Sequence, residues 1–118
     1  MAPDTVLFIG WNRPLAGRDR QALQVFESAI GYYAGLVSAR KIDSFEPVLL
    51  AAHAGDLNGF VMLRGTRDQI DAVRRDDKFI EIITRAQFNV DQVGAVEGWV
   101  GQSLQTHLQR WAKLSSDS

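Results

Sequence analysis

His53 and Asp56 stand three residues apart, with Ala54 and Gly55 between them. An imidazole moves protons near neutral pH and a neighbouring carboxylate can orient it or stabilise its cation, so the two have the makings of a proton-transfer dyad. Histidine and aspartate beside a glycine are also ordinary turn residues, and spacing alone does not choose between the readings. Glu97 is the third catalytic candidate. It shares an alternation parity with Val93, Ala95 and Trp99, so in a strand these four project to one face. A carboxylate among apolar neighbours and beside an indole wall suits a ligand cavity, where desolvation favours a general base. The competing position is an edge, with Glu97 paired to a basic side chain such as Arg64 or reaching water.

Trp11, Asn12 and Arg13 close the first apolar run of the chain. An indole can wall a ligand and a guanidinium can hold a carboxylate; the alternative is a core tryptophan followed by a solvated loop. Trp11, Arg13, Arg64 and Trp99 are therefore the candidate ligand-binding residues. The second imidazole, His107, falls in a polar C-terminal stretch and reads as a surface residue. Two distant histidines and no cysteine leave no ligand set for a metal. No phosphate-binding loop, dinucleotide fingerprint or nucleophile elbow occurs, and no cofactor is expected.

Composition narrows the classes further. Thirteen Lys+Arg against fourteen Asp+Glu give a formal net charge of -1, without the basic excess that binding to a phosphate backbone requires. The run Gly59-Phe60-Val61-Met62-Leu63 has a glycine and an aromatic as RNA-recognition strands do, but the alternating aromatics that stack bases are missing. The first apolar run is too short for a signal or membrane segment, and the absence of cysteine suits a reducing compartment, so a cytoplasmic location is expected, with no nucleic-acid or membrane partner. With 118 residues, 46% of them hydrophobic, one domain over 1–118 is expected, its core packed without staples.

The elements that must position these residues follow from periodicity. Thr5 to Trp11 is rich in β-branched and aromatic residues and apolar at both parities, which predicts a strand buried on both faces. Between Arg18 and Lys41, Leu23, Phe26, Ile30, Tyr33 and Val37 fall at spacings of three and four and predict a long helix. Beside that stripe, Ser28, Gly31, Gly35 and Ser38 form a flank of little bulk that can approach another backbone, in its own sheet or in a partner. Tyr32 and Tyr33 point to different faces, with Tyr33 in the core. Phe45 to His53 and Phe60 to Arg64 read as a hairpin, its first strand assigned to an edge by Pro47. Thr66-Arg67-Asp68-Gln69 has the form of a capping box and starts a helix near Arg67. Asp76 or Asp77 can cap a further turn. Residues 78–88 match both strand propensity and helical spacing; the spacing of Phe79, Ile82, Ile83 and Ala86 selects helix. Val93 to Val100 predicts a last strand, and Leu104, Leu108 and Trp111 mark an amphipathic helix over about 102–114.

The order is β-α-β-β-α-β plus a helix, an α+β class with a ferredoxin-like antiparallel sheet covered by helices on one face. A first strand apolar on both sides needs a cover for the second face as well, and another copy of the sheet supplies one. This order, the long first helix, the Gly-rich last strand and the terminal helix resemble the dimeric α/β barrel superfamily and, more loosely, its YCII-related branch, over about residues 5–101. The resemblance implies a homodimer of facing sheets with space for a small apolar or carboxylated molecule. It also implies a range of activities, among them cofactor-free monooxygenases and isomerases, haem-handling enzymes and proteins without known activity. YCII-related proteins are associated with a His-Asp pair, which here points to His53 and Asp56. The expectation is a homodimeric small-molecule-binding or interaction protein. The alternatives are a cofactor-independent small-molecule enzyme using His53/Asp56 or Glu97, or a structural partner domain whose cavity its own side chains fill.

Overall fold

A computed structural model describes residues 2–117. Strand β1, Thr5–Trp11, is followed by helix α1, Asp19–Ser38, then strands β2, Ser44–Leu49, and β3, Gly59–Gly65. Helices α2, Arg67–Arg75, and α3, Asp77–Asn89, precede strand β4, Gly94–Trp99, and helix α4, Gly101–Ser116. The sheet is antiparallel throughout in the order β2-β3-β1-β4. This is the ferredoxin-like arrangement that the order of elements predicts.

Register explains the two-sided apolarity of β1. Leu7 pairs with Leu63 and Ile9 with Val61, and these four side chains meet Ala29, Tyr33 and Leu36 of α1, Ile70 and Val73 of α2, and Phe79 and Ile82 of α3 in one buried cluster. This is the inner face. Phe8, Met62 and Val96 project from the other side, where Phe8 and Phe60 stack with centroids 5.0 Å apart. Among the described residues no helix of the core cluster covers that open face, and Val96 on it is 59% exposed. Pro47 sits in the edge strand β2, where its missing amide breaks no ladder.

Caps set the helix boundaries. Thr66 and Gln69 form the expected capping box at α2, with Gln69 N donating to Thr66 Oγ1 at 3.2 Å and Thr66 N to Gln69 Oε1 at 2.9 Å. Asp76 caps α3, its carboxylate accepting from Lys78 N at 3.2 Å, so the charged stretch before residue 78 separates two helices. Residues 78–88 are helical. After α1 the chain reverses through Arg40 in the left-handed region, φ 58°, with Lys41 N donating to Leu36 O at 2.8 Å and Arg40 N to Val37 O at 3.0 Å.

Two expectations are corrected. The first hairpin strand ends at Leu49, not His53: Leu50 N still reaches Asn58 O at 3.0 Å, but residues 51–57 widen into a loop too long for a tight turn. The small-residue flank of α1 does not pack on its own sheet: Gly31 and Gly35 are exposed, and a Cβ added at either meets open space among the described residues. α1 rests on the sheet and beside α3 through Ala22, Ala29, Tyr33 and Leu36, so of the predicted stripe only Tyr33 is fully buried, Phe26, Ile30 and Val37 flank it half-buried, and Leu23 is 56% exposed.

Candidate functional site

The inner face is not filled at the end where β1 leaves the sheet. A cavity of about 690 Å³ lies there between the sheet, α1 and α3, with Ile9 and Val61 as its floor and Ala29, Tyr33, Ile82 and Ala86 among its walls. Small side chains open it: Ala22 and Ala29 of α1 and Ala86 of α3 stand where larger residues would close the gap between the helices.

The mouth is built from three backbone segments. Beyond β1, Asn12 N donates to Asp91 O at 2.9 Å, Asp91 N to Arg13 O at 2.7 Å and Leu15 N to Asn89 O at 2.9 Å, with Pro14 bridged to Val90. These bonds hold Asn12 and Arg13 against the end of α3. On the other side Asn58 N donates to Trp11 O at 2.8 Å, which places Asn58 beside Asn12. Asn58 Nδ2 donates to Asn12 Oδ1. Each amide then keeps one group without a protein partner among the described residues, a donor on Asn12 and an acceptor on Asn58. Trp11 meets Phe26 edge to face, centroids 5.8 Å apart, as an aromatic wall. A Cβ added at Gly59 would lie 2.6 Å from the Trp11 indole, so the glycine lets that ring lie across β3.

Tyr33 lies deeper. It is 1% exposed, and burial pushes its phenol well above the usual tyrosine range, so it stays a neutral hydrogen-bond donor or acceptor at any physiological pH. Its hydroxyl makes no hydrogen bond among the described residues. The mouth carries Arg13 and Asp19 as its charged groups. The arrangement can enclose an apolar body, hydrogen-bond an oxygen at the amide pair and meet an anionic end with Arg13.

The structure brings together Trp11 and Arg13 of the residues singled out in sequence and separates the others. His53 and Asp56 are both exposed in the β2–β3 loop; His53 Nδ1 sits 2.9 Å from Ala51 O, and no hydrogen bond or ion pair joins the two among the described residues. Glu97 shares a face with Ala95 and Trp99, as its parity predicts; that face is the inner one, and there Glu97 pairs with a basic side chain, Arg74 of α2, at 3.8 Å, outside the cavity. Arg64 projects from the open face, opposite to Glu97, so that pairing does not form. Trp99 closes the far end of β4, its ring stacked on His107 at 3.6 Å. Asn58, Phe26 and Tyr33 join the site without having been singled out for it. Asn58 was legible only as turn chemistry before Gly59, and Phe26 and Tyr33 as a helical core stripe. Among the described residues no group of three or more His, Asp or Glu comes together to hold a metal, and no helix is long and apolar enough to cross a membrane.

No protein-family model matches the chain, and no curated protein sequence does. Solved structures share its fold. A dimeric ferredoxin-like protein of unknown function from Bacteroides fragilis aligns with a TM-score of 0.59 at 12% identity, over 80% of this chain and 95% of its own. SnoaB, a cofactor-independent oxygenase from Streptomyces nogalater, aligns at 0.54 and 17% identity, over 86% and 97%. A hypothetical protein from Arabidopsis thaliana aligns at 0.62 and 11%, over 86% and 91%. At these identities the likeness is one of fold.

Proposed function

We propose that this protein binds a small, mainly apolar molecule with an oxygen-bearing polar end, and that it does so as a homodimer. The observation that carries the reading is the cavity: about 690 Å³ between sheet and helices, apolar in its depth, with the Asn12/Asn58 amides and Arg13 gathered at its mouth. That combination of an apolar body and a few convergent polar groups is the usual make-up of a small-molecule site. The open sheet face, with Phe8, Phe60 and Met62 half-buried and Val96 exposed, supports the dimer, as does the dimeric state given for the Bacteroides fragilis protein of the same fold. Titration with 2-naphthoate and 2-naphthol, followed by quenching of tryptophan fluorescence and compared with a Trp11→Phe protein to isolate the Trp11 share among the three tryptophans, tests the binding. Saturable quenching that Arg13→Ala weakens for the carboxylate more than for the neutral phenol is the expected result; no quenching by either compound would overturn it.

A second reading is a cofactor-independent oxygenase, supported by the shared fold with SnoaB. The proton-moving residues anticipated for an enzyme, His53, Asp56 and Glu97, lie outside the cavity, and its remaining titratable groups are Arg13, Asp19 and Tyr33. Binding is therefore the reading the geometry supports better. Oxygen uptake on addition of an electron-rich phenol, abolished by a substitution at Asn12 or Asn58, would move the choice to the enzyme. Nothing about His53 and Asp56 supports the YCII-like dyad.

A further inference from the structure

Helix α4 leaves the body of the chain. None of its sixteen residues is buried, and Leu104, Leu108 and Trp111, which fall on one face at spacings of four and three, are 38%, 44% and 72% exposed. Its ring contact with the strands is the stacking of Trp99 on His107, and its first turn is tied by Val100 N donating to Asp4 O at 3.0 Å. The consequence is a long molecule. The radius of gyration is 16.0 Å and the longest extent 52 Å, against about 13.5 Å of gyration radius for a compact chain of this length. An isolated helix of about this length is only marginally stable in water, and an apolar stripe of this kind ordinarily finds a cover.

We infer that α4 is an exchanged arm: in the homodimer proposed above, on which this inference rests, the Leu104/Leu108/Trp111 stripe of each copy packs against the other copy, along the margin of its open sheet face. Area selects a second copy as the occupant. Four strands about 4.8 Å apart and about 20 Å long present a plane of about 400 Å², half of the roughly 800 Å² per partner in an interface of standard size. A helix about 24 Å long and 10 Å wide adds about 240 Å² given and as much received. Exchanged arms therefore about double the footprint that facing sheets alone provide, to the scale of a standard interface. Charge does not oppose the arrangement on balance: α4 carries Arg110 and Lys113 and no acidic residue, and the open face presents both Glu46 and Arg64.

Sedimentation of the full chain at micromolar concentration, with Leu108→Glu, Trp111→Ala and Met62→Glu variants, tests this. The wild type should be a dimer. Because each substitution occurs twice in a twofold interface, Leu108→Glu should raise the dimer Kd by a factor of about 100 or more and Trp111→Ala by about 10 or more, while far-UV circular dichroism and the melting of the β-sheet core stay close to wild type. A wild-type monomer overturns both the homodimer and the arm. A dimer that Met62→Glu weakens but Leu108→Glu and Trp111→Ala leave unchanged overturns the arm alone. Lowered melting with an unchanged dimer in either α4 variant places the helix on its own chain and also overturns the exchange. If Leu108→Glu does not fold, Trp111→Ala decides.

Discussion

The hydroxyl of Tyr32 on α1 donates to the carboxylate of Asp76, which caps α3. One aspartate thus joins two helices that wall the cavity. The Tyr32 hydrogen bond, then the Lys78 amide and the charge of Lys41, hold the Asp76 carboxyl below the usual carboxylate range, while desolvation and then the Asp76 bond raise the Tyr32 phenol. A depressed folded value means that the stabilisation is complete above the unfolded value of about 3.9 and fades as pH falls through the folded one. The raised phenol works in the other direction, so its share fades as pH rises above about 10. Tyr32→Phe should cost about 1 kcal/mol at pH 7, because the bond is charged but only partly buried. It should also flatten the loss of stability below pH 4, read by urea unfolding at pH 7 and pH 3. An unchanged acid limb would show the bond to be absent in solution.

Asp76 was legible as one of two possible caps because charge accumulates between two apolar stretches. The tyrosine above it was not, since a contact across 44 positions leaves no local pattern. The same division runs through the molecule. β1 extends over Thr5–Trp11 as its β-branched run predicts, and the capping box forms as written, because both depend on neighbours in sequence. The cavity depends on register. Trp11 pairs with Gly59, so an indole, a glycine and the adjoining Asn58 converge from positions nearly fifty residues apart. Glu97 shows the limit from the other side: parity groups it with Ala95 and Trp99, but only the docking of α2 decides that this face is covered and that Arg74 meets it.

Arg40 ends α1 with φ 58°, a conformation in which a Cβ meets the backbone. Its side chain enters no hydrogen bond or ion pair among the described residues, while its carbonyl accepts from Gln69 Nε2 at 3.2 Å, a contact that glycine keeps. Arg40→Gly should therefore stabilise the fold by about 0.5 to 1 kcal/mol, the left-handed strain relieved less the extra freedom of the unfolded glycine. Thermal melting checks it; a lowered melting temperature would mean that the guanidinium or the turn contributes more than its geometry indicates.

Arg13 and Glu97 make opposite claims on a ligand. Arg13 stands at the cavity mouth and Glu97 at a surface pair of 3.8 Å with Arg74. Arg13→Ala should lower affinity for 2-naphthoate about tenfold, the scale of one partly exposed charge-assisted contact. Glu97→Gln should leave affinity within about twofold and stability within about 0.5 kcal/mol, as exposed pairs do. Tyr33→Phe removes a hydroxyl with no protein partner, so stability should hold while affinity falls if the ligand carries an oxygen to that depth. Calorimetric titration of the three variants separates the cases. A larger effect at Glu97 than at Arg13 would move the site to the α2 side of the sheet.

Gly59 controls the shape of that mouth. A Cβ there would come within 2.6 and 2.8 Å of the Trp11 ring and 3.0 Å of Val48 O. The indole can rotate, but the carbonyl belongs to the edge strand and holds the β2–β3 ladder, so the strain cannot be relieved by the side chain alone. Gly59→Ala should destabilise by about 1 to 3 kcal/mol, the usual cost of forcing atoms into a packed place. It should also disturb the Trp11–Phe26 wall, which a shift in tryptophan emission would report. Ligand affinity should fall with it, because the displaced ring is part of the cavity wall. A Gly59→Ala protein with wild-type stability, emission and affinity would mean that Trp11 does not lie across β3 in solution. The mouth would then be framed by the asparagine amides without their aromatic wall.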